Sequence, residues 1–259
     1  MMRDFNLSLS STMATQTTRL RTFWPKTSLA HDMKAASFEF VGTTVFLLLA
    51  FGGVQASNDV QGSALERTLY IATSFGLSLL VSAWFFFRAT GGLFNPDVSL
   101  ALLLAGCISP MRFVLYCVAQ LTGAIAAAGI VLALTPGPLS YDPVPAPNIN
   151  LAQGVFIEMF ITAALCLAVL MLAAEKHSST PFAPIGVGLT LFACHLFTLR
   201  KFRFAVPYTG AAMNTARAFG PAAVSGFPND SHWIYWVGPF LGALLATAFY
   251  VILKQYVMD

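Results

Sequence analysis

The sequence predicts an all-α membrane protein with six spanning helices and two half-helices, arranged as an inverted repeat. Three observations carry this. The 259 residues are 57% hydrophobic and only 10% charged, with a mean hydropathy of +0.71, whereas soluble domains carry about 25% charged residues. Six segments approach the roughly 20 apolar residues that a span needs: about 35–57, 68–88, 112–134, 152–174, 182–199 and 233–253. Two shorter apolar runs, 95–105 and 214–224, each begin at an Asn just after a Gly-containing break. Neither is long enough to cross a bilayer, so each reads as half a helix. Broken helices are tolerated in lipid only where their exposed backbone lines a polar cavity. In corresponding positions of two halves they mark a pathway at the repeat interface.

Residues 1–34 are polar and Ser/Thr-rich, so they read as a cytoplasmic tail without a cleavable leader. The first repeat occupies 35–134 and contains three spans and the first half-helix. A Pro-rich connecting loop follows at 135–151, with five prolines and no basic residue between 135 and 147. The second repeat fills 152–253, and 254–259 forms a short tail. Self-comparison supports this division. Glu39-Phe40-Val41-Gly42-Thr43 matches Glu158-Met159-Phe160-Ile161-Thr162, Phe75-Gly76-Leu77-Ser78 matches Val187-Gly188-Leu189-Thr190, and Asn95-Pro96-Asp97 matches Asn214-Thr215-Ala216. The offsets are 119, 112 and 119 residues, so seven residues are added between the fifth span and the second Asn. An odd number of spans per repeat turns the second half upside down.

Six spans put both termini on one side. That side holds Arg3, Arg19, Arg21, Lys26, Lys34, Arg88, Arg112, Lys176 and Lys254, against Arg67, Arg200, Lys201 and Arg203 opposite. The excess predicts cytoplasmic termini. The net charge of +3 is small and scattered, which argues against a nucleic-acid partner. Cys107, Cys117, Cys166 and Cys194 lie in or beside apolar segments without metal-ligand spacing. No residue set pairs a nucleophile with a base, so neither an enzyme, nor a metal site, nor a cofactor is expected.

A half-helix start leaves N–H groups unpaired and carries about half a positive charge. Two such ends meeting near the midplane create a positive centre. Asn95 and Asn214 occupy the cap positions: the side-chain oxygen can cap, while the amide turns to the cavity and donates to a passing water. Pro96, Asp97, Thr215 and Ala216 complete the pore motifs. Arg217, one turn after Asn214, is too costly inside an apolar protein unless it faces water or a partner. Glu39 and Glu158 admit two readings. They are ion sites of a transporter, or structural acceptors for the irregular loop of their own repeat, with Gln120 as a further internal support. The structural reading is preferred.

These motifs together resemble the aquaporin, or major intrinsic protein, family over about 35–253. The run Met213-Asn214-Thr215-Ala216-Arg217-Ala218-Phe219-Gly220-Pro221-Ala222, with the long polar tail, is similar to fungal orthodox water channels. The resemblance implies a selectivity filter of Phe75, His195, Ala211 and Arg217. His195 is placed by its His-Leu-Phe-Thr context, whereas counting back twelve residues from Asn214 would give Phe202. It further implies a homotetramer in the plasma membrane that conducts water, with hydrogen peroxide as a second permeant. A glycerol-type facilitator and a gated or closed relative stand as alternatives, with Ser8, Ser10, Ser11, Thr12, Thr27, Ser178, Ser179 and Thr180 as candidate phosphorylation sites. Several departures matter. Asp97 replaces the family's usual Ala and is expected to cap or bond locally. Thr215 replaces the usual Pro, Leu93 the frequent loop His, and the basic stretch 200–206 is an insert.

Overall fold

The computed structural model describes residues 25–57, 63–197 and 208–258. Among these it is all helix, without strands. The long helices are α1 (Leu29–Ala56), α2 (Ala64–Thr90), α4 (Pro110–Leu134), α5 (Leu151–Val169), α6 (Ala183–Phe197) and α8 (Ile234–Leu253). The half-helices are α3 (Pro96–Leu104) and α7 (Thr215–Ser225). A π turn at Leu170–Ala174 extends α5, and a 3-10 turn at Thr180–Phe182 leads into α6. With these extensions six helices are long and apolar enough to cross a membrane. The insert at 200–206 and the tail serines lie outside the described residues.

Local sequence sets the helix ends. Ser63 and Glu66 form a reciprocal capping box at α2, as do Asn150 and Gln153 at α5. Ser109 caps α4 with Pro110 at the first helical position, where its missing N–H costs nothing. The first helix begins at Leu29, six residues before the hydropathy signal at 35. Its polar first turn is held by Ser28 as cap and by buried Asp32, which accepts from Arg112 Nε at 2.7 Å and Thr27 Oγ1 at 2.7 Å. Hydropathy alone cannot see a helix start that an ion pair stabilises. On the same face, Glu175 accepts from Lys254 Nζ at 2.6 Å and from the Tyr250 hydroxyl. These two donors hold its carboxyl below the usual range. The Thr180 hydroxyl is committed to its own turn, accepting from His177 N at 2.8 Å and donating to the Glu175 carbonyl at 3.2 Å.

Packing follows the repeat. The first helix lies along α4 as α5 lies along α8, while α2 crosses α6 between the halves. Each half-helix packs on a long helix of the other repeat, α3 on α8 and α7 on α4. The interior is unusually polar at its centre: Glu39, Gln120 and Glu158 have no exposure, while Phe85, Leu134, Phe156 and Phe160 face outward. This distribution is what a lipid solvent selects.

The crossing of α2 and α6 depends on two glycines related by the repeat. A Cβ on Gly76 would lie 3.0 Å from the Gly188 carbonyl oxygen, and one on Gly188 would lie 2.7 Å from that of Gly76. Backbone cannot yield as a side-chain tip can, so Gly188→Val is expected to destabilise by about 3 kcal/mol, the upper part of the overpacking range. Gly129, with nothing within 4 Å of its added Cβ, is the control: Gly129→Ala should leave stability equal or higher by about 0.5–1 kcal/mol. Unfolding temperatures in detergent check both.

Candidate functional site

The two breaks are built alike. Gly91 and Gly92 have φ of 94° and 65°, and their counterparts Gly210 and Ala211 have φ of 83° and 49°. Phe94 and Met213, directly before the two Asn residues, sit at φ 50° and 51°. A non-Gly residue in this left-handed region costs on the order of 1–2 kcal/mol, so each turn must be over-determined by its neighbours. Glu39 and Glu158 do this. Glu39 accepts the N–H groups of Leu93 at 3.2 Å and Phe94 at 2.8 Å; Glu158 accepts those of Ala212 at 3.0 Å and Met213 at 2.9 Å. Gln120 donates to Glu39 at 2.9 Å and to the Ser99 hydroxyl at 3.0 Å. The geometry matches a structural acceptor for each loop.

Asn95 and Asn214 cap their half-helices in the same way. Asn95 Oδ1 accepts from Asp97 N at 2.8 Å and Val98 N at 3.3 Å; Asn214 Oδ1 accepts from Ala216 N at 2.9 Å and Arg217 N at 3.2 Å. The amides also cross between the repeats. Asn95 Nδ2 donates to the Met213 carbonyl at 2.8 Å, and Asn214 Nδ2 to that of Phe94 at 2.8 Å. One hydrogen of each amide therefore ties the two breaks together. The second is left for the cavity that both side chains line.

That cavity has a volume of about 20 Å³, the space of a single water centre. Its walls are mainly apolar, with Phe46, Leu79, Val98, Leu165, Val187 and Leu191, and its polar groups are Asn95, Asn214 and Arg217. Arg217 is 4% exposed. Its Nη2 donates to the Gly210 carbonyl at 3.2 Å, and Nε and Nη1 meet no acceptor among the described residues. Its guanidinium carbon lies 5.0 Å from the centre of the Phe75 ring. Phe75 in turn stacks on His195 with centroids 4.5 Å apart. His195 Nδ1 faces the Leu191 carbonyl at 2.9 Å, an acceptor only, so that nitrogen carries a hydrogen. Phe75 and Arg217 line the cavity, His195 backs the Phe75 ring, and Ala211 is fully buried.

The connecting loop covers this end. Gln55 holds its start by donating to the Pro136 and Pro138 carbonyls at 3.2 and 3.1 Å. Tyr141 stacks on Phe51 at 4.4 Å and donates to the Ala128 carbonyl at 3.0 Å. Asp142 is thereby brought into the electrostatic range of Arg217: burial raises its carboxyl above the usual range, and the guanidinium pulls it part of the way back. Sequence reasoning missed Asp142, because nothing local marks a loop carboxylate that folds inward.

Asp97 turns away from the central cavity. Its carboxylate also reaches beyond its own turn: Oδ2 accepts from Thr215 N at 2.8 Å, across the repeat interface. The Thr215 hydroxyl lies 3.0 Å from the same oxygen and 3.1 Å from the Tyr235 carbonyl. Asp97 and Thr215 line a groove on the outer side with Cys117, Trp236 and Phe240, and neither lines the central cavity. Asn95 already supplies the cap, which leaves the carboxylate available to the other half-helix. Among the described residues no cluster of His, Cys, Asp or Glu suits a metal.

Two opposed half-helices in a six-span inverted bundle define a membrane-channel fold, and comparison with known proteins gives the family. The model for "Major intrinsic protein" matches residues 26–250. Two Laccaria bicolor proteins, both named as aquaporins, are each 62% identical over 232 residues, covering 87% of this chain and 72% of their own. Aquaporin-1 of Gibberella zeae is 46% identical over 223 residues, covering 83% and 68%. The X-ray structure of the aquaglyceroporin from Plasmodium falciparum superposes with a TM-score of 0.70 over 88% of this chain and 97% of that one. At 20% identity it speaks for the fold alone. The chain belongs to the major intrinsic protein family, as an integral multi-pass membrane channel of the aquaporin kind.

Proposed function

We propose that the chain is a passive water channel that conducts in single file and excludes protons and ions. The observation that carries this is the pair Asn95 and Asn214, each with one amide hydrogen committed across the repeat and the other available to an apolar cavity of about 20 Å³. A water at the pair accepts two hydrogen bonds through its oxygen, so its own hydrogens point outward and the hydrogen-bonded file is interrupted. The half-helix ends add positive potential that opposes hydronium.

Phe75, His195, Ala211 and Arg217 act as the selectivity filter. Arg217 Nε and Nη1 replace hydration lost by the permeant, and the Phe75 ring, backed by His195, limits its width. Hydrogen peroxide, near water in size and polarity, shares this route. Glu39, Glu158 and Gln120 are supports, not ion sites. The channel works as a homotetramer in the plasma membrane, as the family resemblance implies, and its termini are cytoplasmic, on the strength of the basic-residue excess on that side.

Stopped-flow light scattering on proteoliposomes tests the reading. Water permeability is expected at least about tenfold above empty liposomes, a barrier difference of about 1.4 kcal/mol, with weak temperature dependence. Folded protein in the membrane with no excess over empty liposomes would sink it. Solute uptake that needs an ion gradient and disappears in Glu39→Gln would establish a transporter instead.

A further inference from the structure

Two departures from the family pattern, Asp97 and Thr215, meet each other in space. We infer that they form a clamp between the repeats, and that Asp97 is a positioning residue for the Asn pair. Thr215 is the first residue of α7, where helix geometry supplies no partner for the N–H. Asn214 caps the N–H groups of Ala216 and Arg217, not that of Thr215. The first half-helix has no such problem, because its first residue is Pro96 and lacks the donor.

Thr215 is 4% exposed, so its N–H has no recourse to solvent, and Asp97 Oδ2 at 2.8 Å is its acceptor. Asp97 is 5% exposed and needs donors for the same reason; the Thr215 N–H and hydroxyl supply them. The two positions are therefore interdependent. Proline at 215 strands a buried carboxylate, and alanine at 97 strands a buried N–H. Both changes together remove donor and acceptor at once and leave a neutral contact. Asn214 directly precedes Thr215, and Asn95 lies two residues before Asp97, so the clamp adds to the amide crossings that aim both Asn side chains at the cavity.

The functional part of this inference rests on the water-channel reading; the structural part does not. The test compares Asp97→Ala, Thr215→Pro, the double variant and Asp97→Asn in the full chain. Each is read by unfolding temperature in detergent and by proton and water permeability per folded protein in liposomes. Both single substitutions are expected to lower the unfolding temperature, Thr215→Pro more, and to raise the proton-to-water permeability ratio at least about fivefold. The double variant should return to within about twofold of the parent in that ratio and recover most of the unfolding temperature. Asp97→Asn, which keeps an acceptor oxygen, should hold most of both.

A clamp that only supported the fold would leave the ratio unchanged in the protein that does fold. Singles that do not fold beside a double that does also support the pairing. A double variant as poor as the two losses added together overturns it, as do four variants indistinguishable from the parent, or a ratio that never moves. If the parent itself passes no water, the channel reading fails, while reciprocal unfolding temperatures still decide the pairing.

Discussion

Replacing Glu158 or Glu39 with Leu is expected to abolish recovery of folded protein. Each carboxylate is fully buried and accepts two backbone N–H groups from a turn that contains a non-Gly residue at positive φ. Leaving a buried donor unsatisfied costs about 1–3 kcal/mol. Two such donors lost together cost about 2–6 kcal/mol, a large part of the 5–15 kcal/mol that a typical domain possesses. The turn strain then stands unopposed, and the half-helix loses the backbone that aims its Asn. Glu39→Leu also strands Gln120, which keeps only the Ser99 contact. Monodisperse yield by size-exclusion chromatography and the unfolding temperature measure the effect.

Glutamine at these positions separates the structural reading from the transporter one. It retains an acceptor oxygen, so Glu39→Gln should fold, with a lower unfolding temperature, and still pass water at a rate within about threefold of the parent, under 1 kcal/mol in barrier terms. A well-folded Glu39→Gln protein without water flux would show that the charge takes part in conduction.

Much of this site was legible in the sequence because its parts leave local marks. Asn before a short apolar run marks a cap, an intramembrane Glu marks a buried acceptor, and the 119-residue offset pairs the two halves without any coordinates. His195 stacks on Phe75, while Phe202, the residue that counting back gives, lies outside the described residues. What escaped were pairings between the repeats. Nothing near Asp97 names Thr215 as its partner, since 118 residues separate them. The crossing amides of Asn95 and Asn214 are similarly invisible, because a cap explains the side-chain oxygen and says nothing of the nitrogen. One signal was available: both departures fall at the facing ends of opposed half-helices, where a freed donor and an added acceptor would meet.

Replacing Arg217 with Ala is expected to raise proton and cation leak by about two orders of magnitude while water flux stays within about threefold. A unit charge about 4 Å from a permeant cation contributes roughly 4 kcal/mol at an effective dielectric constant near 20. At 1.4 kcal/mol per tenfold that sets a ceiling of about three orders, and the half-helix ends that remain retain part of the barrier. Asp142 complicates the measurement, because removing Arg217 leaves its carboxylate without the guanidinium that favours its charged form. Asp142→Asn combined with Arg217→Ala isolates the filter charge, and Arg217→Lys, which keeps a cation there, should leak much less than Arg217→Ala. A pH-sensitive dye trapped in liposomes reports the proton leak directly. If Arg217→Ala stays as proton-tight as the parent in both backgrounds, exclusion resides wholly in the Asn pair and the half-helix ends.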